Sequence, residues 1–285
     1  GFGGEYMKIT AIETIPISLP VGKFQDGQDK VGGVDAPARY PTGEHIQGFW
    51  DTTIDETLIL SNVIVKIYTD EGVTGVGEAA CDNLEPVEVV QTMIEEYMGP
   101  RLIGRDPLNW RHLIDQVSWD RDRGATRFST SGIDLALHDL VAKSLGVPVY
   151  TLLGGCRRSR VLASIEVPRN TPEKMAEHSY EYYQQGIRGI KAKIGSDPVQ
   201  DAECIKAIRE KLGKDISLRA DANRGYTVKE AIVFCNLVEQ YDLNLEILEQ
   251  PVGTMDLDGT KQIKEVTSIP VEVDESAFSL SQVHQ

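Results

Sequence analysis

The sequence predicts two domains: an α+β unit over residues 7–145, then an α/β unit on parallel strands over residues 146–285. Three observations predict this. Three strand-like runs come first and helical patterns follow them, which is the order of an α+β domain. Past Tyr150, short β-rich runs alternate with helical patterns at a period of about 28 residues, as parallel strands with right-handed crossovers require. Four of those later runs end in charged residues, and a β/α scaffold carries its chemistry at that end of its strands.

In the first unit, Lys8–Leu19 alternates weakly and reads as a strand, and Leu58–Tyr68, rich in Val and Ile, reads as a second. Asp70-Glu71-Gly72 is a turn signal, and Val73–Ala79 returns as a third strand. Helical patterns follow at Pro86–Tyr97, at Pro107–Val117, and at Thr130–Leu145 with Ile133, Leu135, Ala136, Leu140 and Val141 apolar. Between the first two strands, Val21–Trp50 is glycine-rich and has little periodicity. A loop of that length inside a compact domain reads as a functional lid in preference to a disordered segment.

In the second unit, strands are expected at Val161–Val167, Gly189–Ile194, Ser217–Ala220, Leu245–Leu248 and Pro270–Val273. Thr171-Pro172 supplies an N-cap and a first-turn proline for the helix after the first of them. Pro198–Leu212 carries Val199, Ala202, Ile205, Ile208 and Leu212 on one stripe. Thr227-Val228-Lys229-Glu230 fits a capping box whose helix runs to about Tyr241. Leu257–Val266 is a shorter helix. An open doubly wound sheet and a closed β/α barrel both satisfy this rhythm.

Composition narrows the functional classes. The chain has 285 residues, 41% hydrophobic and 26% charged, as an ordinary globular protein does. A net charge of −15 argues against nucleic acid, whose phosphates need clustered Lys and Arg, and is compatible with a cation held by carboxylates. No run of about 18 uncharged apolar residues predicts a transmembrane helix. Gly1–Tyr6 lacks the plan of a signal peptide, and Met7 reads as the native start. Cys81, Cys156, Cys204 and Cys235 form no C-x-x-C and read as thiols in a reducing cytoplasm. Gly75-Val76-Gly77 lacks the third glycine of a dinucleotide-binding turn, which argues against a Rossmann dehydrogenase.

The chemistry is expected at the ends of the later strands. They finish in Lys191-Ala192-Lys193, Asp221-Ala222-Asn223, Glu249-Gln250-Pro251 and Asp274-Glu275-Ser276. Period-two alternation puts Lys191 and Lys193 on one face. Asp221, Glu249 and Asp274 crowded at one mouth would repel each other, and a hard divalent cation removes that cost. Oxygen-only ligands suit Mg²⁺, or Mn²⁺. The plainer alternative is solvated acids paired with the lysines or with Arg219. A metal facing a lysine points to removal of the weakly acidic proton beside a carboxylate. The cation stabilises the charge that forms, and the amine takes the proton. Lys191 and the cation would both push the Lys193 pKa down.

Six ordered stretches carry a family resemblance: Gly132–Asp139, Pro148–Gly155, Lys191–Gly195, Arg219–Asn223, Leu248–Pro251 and Asp274–Ser276. With these the chain resembles the mandelate racemase/muconate lactonizing enzyme family of the enolase superfamily, closest to the muconate lactonizing subgroup. That resemblance implies an N-terminal α+β capping domain and a (β/α)7β TIM-like barrel. It implies Asp221, Glu249 and Asp274 as Mg²⁺ ligands, Lys193 as the acid/base lysine tuned by Lys191, and Asn223 and Lys191 near the substrate. It also implies that the glycine-rich segment before Trp50 closes over substrate and that Asp82-Asn83 lies near a second capping loop. His138, where the family often has Trp, reads as a packing residue. The family's second acid/base lysine, on the sixth strand, and three further strands would fall beyond Gln285. As it stands, the chain is expected not to racemise by a two-base route.

The resemblance implies racemisation, epimerisation or cycloisomerisation of a small-molecule carboxylate, an amino-acid derivative being favoured, by a cytoplasmic homo-oligomer. The alternatives are a dehydratase of a sugar acid or hydroxylated amino acid, and an inactive metal-binding scaffold. Retention of both lysines and all three acids argues against the scaffold.

Overall fold

The computed structural model describes residues 6–23, 53–54, 57–81, 86–118, 126–277 and 279–284. Those up to Ser159 form one compact unit and those from Arg160 onward form another.

In the first unit, β1 (Ile9–Lys23) runs antiparallel to β3 (Thr57–Thr69), and β2 (Thr53–Ile54) pairs with the start of β3. The chain turns at Gly72, whose φ of 78° favours glycine, and β4 (Thr74–Ala79) returns along β3. Alternation buries Val63, Val65 and Ile67 on one face of β3. Onto that sheet packs α4 (Arg127–Leu145), through Ile133, Ala136, Leu137 and Leu140. The glycines of the β4 strand make this close approach possible. A Cβ at Gly75 would run into the Ala136 carbonyl, and one at Gly77 into the Gly132 carbonyl. Thus Gly75-Val76-Gly77 serves helix–strand packing.

The helix expected over Pro86–Tyr97 divides into α1 (Val87–Thr92), a π-helical turn (Met93–Met98) and α2 (Gly99–Leu102). Pro100 lacks the N–H that an α-helix would aim at the Glu96 carbonyl, and the wider turn precedes it. A 3₁₀ turn at Pro107–Asn109, capped by Asp106, leads into α3 (Trp110–Val117). Here the Trp110 ring lies against His138, centroids 4.2 Å apart, so His138 packs in the first unit. A left-handed Gly146 ends α4, and α5 (Val149–Leu152) follows.

The second unit is a five-stranded parallel sheet: β5 (Ser164–Val167), β6 (Gly189–Lys193), β7 (Ser217–Asp221), β8 (Ile247–Glu249) and β9 (Val271–Glu272). Its strand order is strictly sequential. A doubly wound sheet reverses its order at a switch point, so the sequential order is that of a β/α barrel. The crossover helices are α6 (Pro172–Gln184), α7 (Pro198–Leu212), α8 (Val228–Gln240) and α9 (Leu257–Val266), and α10 (Leu280–Val283) follows β9. Local signals start them. Thr171 and Asp197 cap helices that begin with proline, and Thr227 and Glu230 close a capping box.

Strand β8 begins two residues later than the apolar run suggests. Asp242 and Asn244 adopt left-handed backbone, so Leu243 and Leu245 are buried as a connection instead of a strand. At this amino end of the sheet the buried Arg209 guanidinium donates to the carbonyls of Gly213, Ile216, Leu243 and Asn244. Of the residues it joins, Ile216 and Leu243 are buried, and their carbonyls need such a partner. Among the described residues, no helix is long and apolar enough to cross a membrane.

Candidate active site at the carboxyl ends of the parallel strands

Parallel register sets Lys193 beside Asp221, Asp221 beside Glu249 and Glu249 beside Glu272. The side chains meet accordingly. Lys193 Nζ donates to Asp221 Oδ2 at 2.7 Å and to Asn223 Oδ1 at 2.9 Å. Lys191 Nζ lies 3.3 Å from Asp221 Oδ2 and 3.3 Å from Glu249 Oε2. A fourth strand contributes Glu166, whose Oε2 is 3.2 Å from Lys193 and 3.8 Å from Lys191. Burial pushes the Lys191 pKa down, but Asp221, Glu249 and Glu166 outweigh it and hold the ammonium above its ordinary value. Arg219 turns elsewhere and pairs with Glu246 at 3.0 Å.

The sequence-derived residues are therefore brought together unequally. Lys191, Lys193, Asp221, Asn223 and Glu249 form one contact group. Asp274 is exposed, and its carboxylate has no ion-pair partner among the described residues. Among the described residues no three His, Cys, Asp or Glu side chains are gathered so as to hold a metal. The two ammonium groups neutralise the acids instead. The donor set still suits a hard cation. It is all oxygen, and Asp221 is almost wholly buried with Glu249 level with it on the next strand. Burial, and then the neighbouring Asp221, push the Glu249 carboxyl up in spite of Lys191. Burial is the larger cause, because it disfavours the charged form, and the Asp221 charge adds to it.

The loops that leave these strands are held by residues that strand-end reasoning missed. Gln250, fully buried, donates to the Val252 carbonyl and to Ser276 Oγ, while its Oε1 accepts the Asp274 and Ser276 N–H groups. This staples the end of β8 to the end of β9 and is the physical reason for the Glu-Gln-Pro and Asp-Glu-Ser motifs. The backbone is left-handed at Asn223, Arg224 and Gln250, and such non-glycine strain collects at functional sites. Gly195 and Gly225 interlock. A Cβ on the first would strike the Ala222 carbonyl, and one on the second the Gly195 carbonyl.

Asp201 completes the support. From the first turn of α7 it reaches back to accept the Gly195 and Ser196 N–H groups at 2.9 and 3.1 Å and the Tyr226 hydroxyl at 2.6 Å. A buried carboxylate thus ties the loop after Lys193 to the loop after Asp221. Asp201→Ala leaves three donors unsatisfied and is expected to cost about 3 kcal/mol, read by urea unfolding. Burial pushes the Asp201 carboxyl up, against the opposing pull of Tyr226, Gly195, Ser196 and Arg169. A raised folded pKa means protonation favours the fold. That contribution is full below the unfolded value of about 4 and is lost as pH rises through the folded value. Relative to Asp201→Asn, wild type should therefore gain stability as pH falls. A difference that stays flat or reverses would refute this.

Thiol chemistry has no place here. Burial pushes Cys204 up to about 12 and Cys235 up to about 11, so neither offers a thiolate near neutrality. The expected lid lies, from residue 24 to residue 50, outside the described residues, and so does Asp82-Asn83. Residues 21–23 continue β1.

Comparison with known proteins bears on the family and the fold. Residues 52–154 match the family described as "Mandelate racemase / muconate lactonizing enzyme, N-terminal domain", and residues 174–285 match "Enolase C-terminal domain-like". An L-Ala-D/L-Glu epimerase of Clostridium acetobutylicum is 31% identical over 252 residues, covering 87% of this chain and 67% of its own length. An arabinonate dehydratase of Saccharolobus solfataricus is 31% identical over 230 residues, covering 76% of this chain and 59% of its own. Among solved structures, a dipeptide epimerase from Enterococcus faecalis, complexed with Mg and L-Leu-L-Tyr, superposes with a TM-score of 0.77 at 26% identity. That match covers 96% of this chain and 70% of the epimerase.

Proposed function

The chain belongs to the mandelate racemase/muconate lactonizing enzyme family of the enolase superfamily, and from that premise we propose that it takes part in Mg²⁺-dependent removal of a proton beside a carboxylate. The outcome in this reading is racemisation, epimerisation or cycloisomerisation of a small carboxylate, an amino-acid derivative being favoured. The observation that carries it is the pairing of Lys191 and Lys193 with Asp221 and Glu249 at the carboxyl end of the sheet.

In this proposal Asp221, Glu249 and Asp274 hold the cation. When bound, it would supply Lewis-acid stabilisation of the charge that develops on the substrate carboxylate. Lys193 takes the α-proton at Nζ. Asn223 Oδ1 and Asp221 Oδ2 aim that nitrogen, which limits the positions it can sweep. Lys191 places a second positive charge beside the carboxylate. Gln250 fixes the backbone from which Asp274 projects. Assembly as a homo-oligomer and a cytoplasmic location belong to the same proposal.

A second reading has a specific basis. The arabinonate dehydratase relative is as similar in identity as the epimerase. A dehydratase shares the first proton removal and then expels a β-hydroxyl. One experiment tests both. The protein is incubated with Mg²⁺ in D₂O with N-acyl and free amino acids, dipeptides, proline derivatives and sugar acids, and the α-proton is followed by NMR. Exchange that a chelator abolishes is expected. Loss of the β-hydroxyl alongside exchange would select the dehydratase. No exchange on any compound by folded, Mg²⁺-binding protein would overturn the proposal.

A further inference from the structure

Glu166 lies at the register level of Lys191, two residues before the level that Lys193, Asp221 and Glu249 share. It stands opposite Lys191 on the neighbouring strand, and its Oε2 contacts both lysines. Its side chain is 45% exposed, against 13% for Glu249 and 1% for Asp221. Among the described residues the two lysines are the groups that engage this carboxylate, and both do so through Oε2. Lys193, for its part, already has Asp221 and Asn223 as shorter partners. A half-exposed carboxylate that faces a reaction site repels a further anionic group and attracts a cation.

Distance limits where that cation sits on the substrate. The proton that Lys193 takes must come from a carbon about 3–3.5 Å from Nζ. The Glu166 oxygen lies 3.2 Å from the same nitrogen. A donor on the reacting carbon, or on the atom directly beside it, can therefore reach this carboxylate by a hydrogen bond of about 2.9 Å.

We propose that Glu166 is a specificity-determining residue that selects substrates carrying an ammonium on the reacting carbon, that is, amino or imino acids whose nitrogen is free and protonated instead of acylated. This rests on the reading of Lys193 as the proton-abstracting base, because that reading sets the position of the carbon. Glu166 accepts the substrate N–H⁺, and the charge-assisted bond distinguishes the ammonium from a neutral group of the same shape. The same charge disfavours substrates with an anionic substituent at that position.

Matched pairs of equal shape test it: L-proline with tetrahydrofuran-2-carboxylate, and L-alanine with lactate. Binding of each to wild type and to Glu166→Gln is measured calorimetrically with Mg²⁺ present, and α-proton exchange is followed in parallel. Wild type should bind the ammonium member at least about tenfold more tightly in one pair or both. In Glu166→Gln that ratio should fall to about one. Because the ratio is taken within a pair, any general effect of the substitution on Lys193 cancels. Circular dichroism checks that the variant is folded, and Glu166→Asp, which keeps the charge, should retain part of the preference. A wild-type ratio of one or less in both pairs, including no detectable binding of either member, overturns the proposal. So does a ratio that survives in Glu166→Gln. If the preference depends on Glu166 but no compound exchanges its proton, the recognition role stands and the base assignment fails. If neutral isosteres exchange as readily as amino acids, the base assignment stands and the specificity role fails.

Discussion

Lys193→Ala is expected to reduce chelator-sensitive α-proton exchange by at least about 10³-fold, because it removes the group that receives the proton. The fold should survive. The lost ammonium leaves Asp221 with Lys191 at 3.3 Å and with the Asn223 N–H at 2.9 Å, so the buried carboxylate keeps two partners. Lys193→Arg separates charge from proton transfer. A guanidinium maintains the pairing with Asp221 but stays protonated throughout the accessible pH range. It should be as inactive as alanine while unfolding close to wild type. Exchange by Lys193→Ala within tenfold of wild type would remove Lys193 from the mechanism. It would leave the lysine pair as counter-ions to the acids.

Asp221→Asn is the second large effect, and it acts on stability and chemistry together. Asp221 is the most buried acid of the group, and both ammonium groups contact it. Neutralising it leaves Lys193, itself buried, without its shortest ionic contact. Breaking a buried pair from one side is expected to cost about 3 kcal/mol in urea unfolding. If Asp221 also holds the cation, the variant should lose the rise in melting temperature that saturating Mg²⁺ gives wild type. Glu249→Gln should lose that rise too, with a smaller cost without metal, since Glu249 contacts Lys191 alone among the lysines, at 3.3 Å. A variant destabilised without metal but still stabilised by Mg²⁺ as wild type is would assign Asp221 to charge balance within the fold.

Much of this architecture can be read from the sequence because its signals are local. A cap is made by residues two or three apart, so Thr171 and Thr227 announce their helices. Strand ends are equally visible, because the change from apolar run to charged residue falls at the same place in successive repeats. Supports that depend on distant partners are not visible in this way. Asp201 lies in the first turn of an amphipathic helix pattern, where an acid reads as a solvated residue. It is buried because the Gly195 and Tyr226 loops fold back onto it. Glu166 follows an ordinary apolar run. Only the register of β5 on β6 brings it level with Lys191. The early end of α1 and the late start of β8 come from Pro100 and from left-handed Asp242 and Asn244, backbone effects that hydrophobic periodicity does not record.

The sequence by itself determined the two-part plan, the parallel strands and the residue types at their carboxyl ends. Periodicity, capping and turn chemistry are fixed by near neighbours. It left open whether the sheet was wound twice or ran on in order, and the tertiary structure decided this through the sequential pairing of β5 to β9. Tertiary structure also decided which charges meet. Lys191 and Glu249 are 58 residues apart, and Lys193 and Asp221 are 28 apart. No local rule couples them. They meet because backbone hydrogen bonds fix the register of the strands: Lys193 falls level with Asp221, and Lys191, two residues earlier on the same face, reaches forward to Asp221 and Glu249.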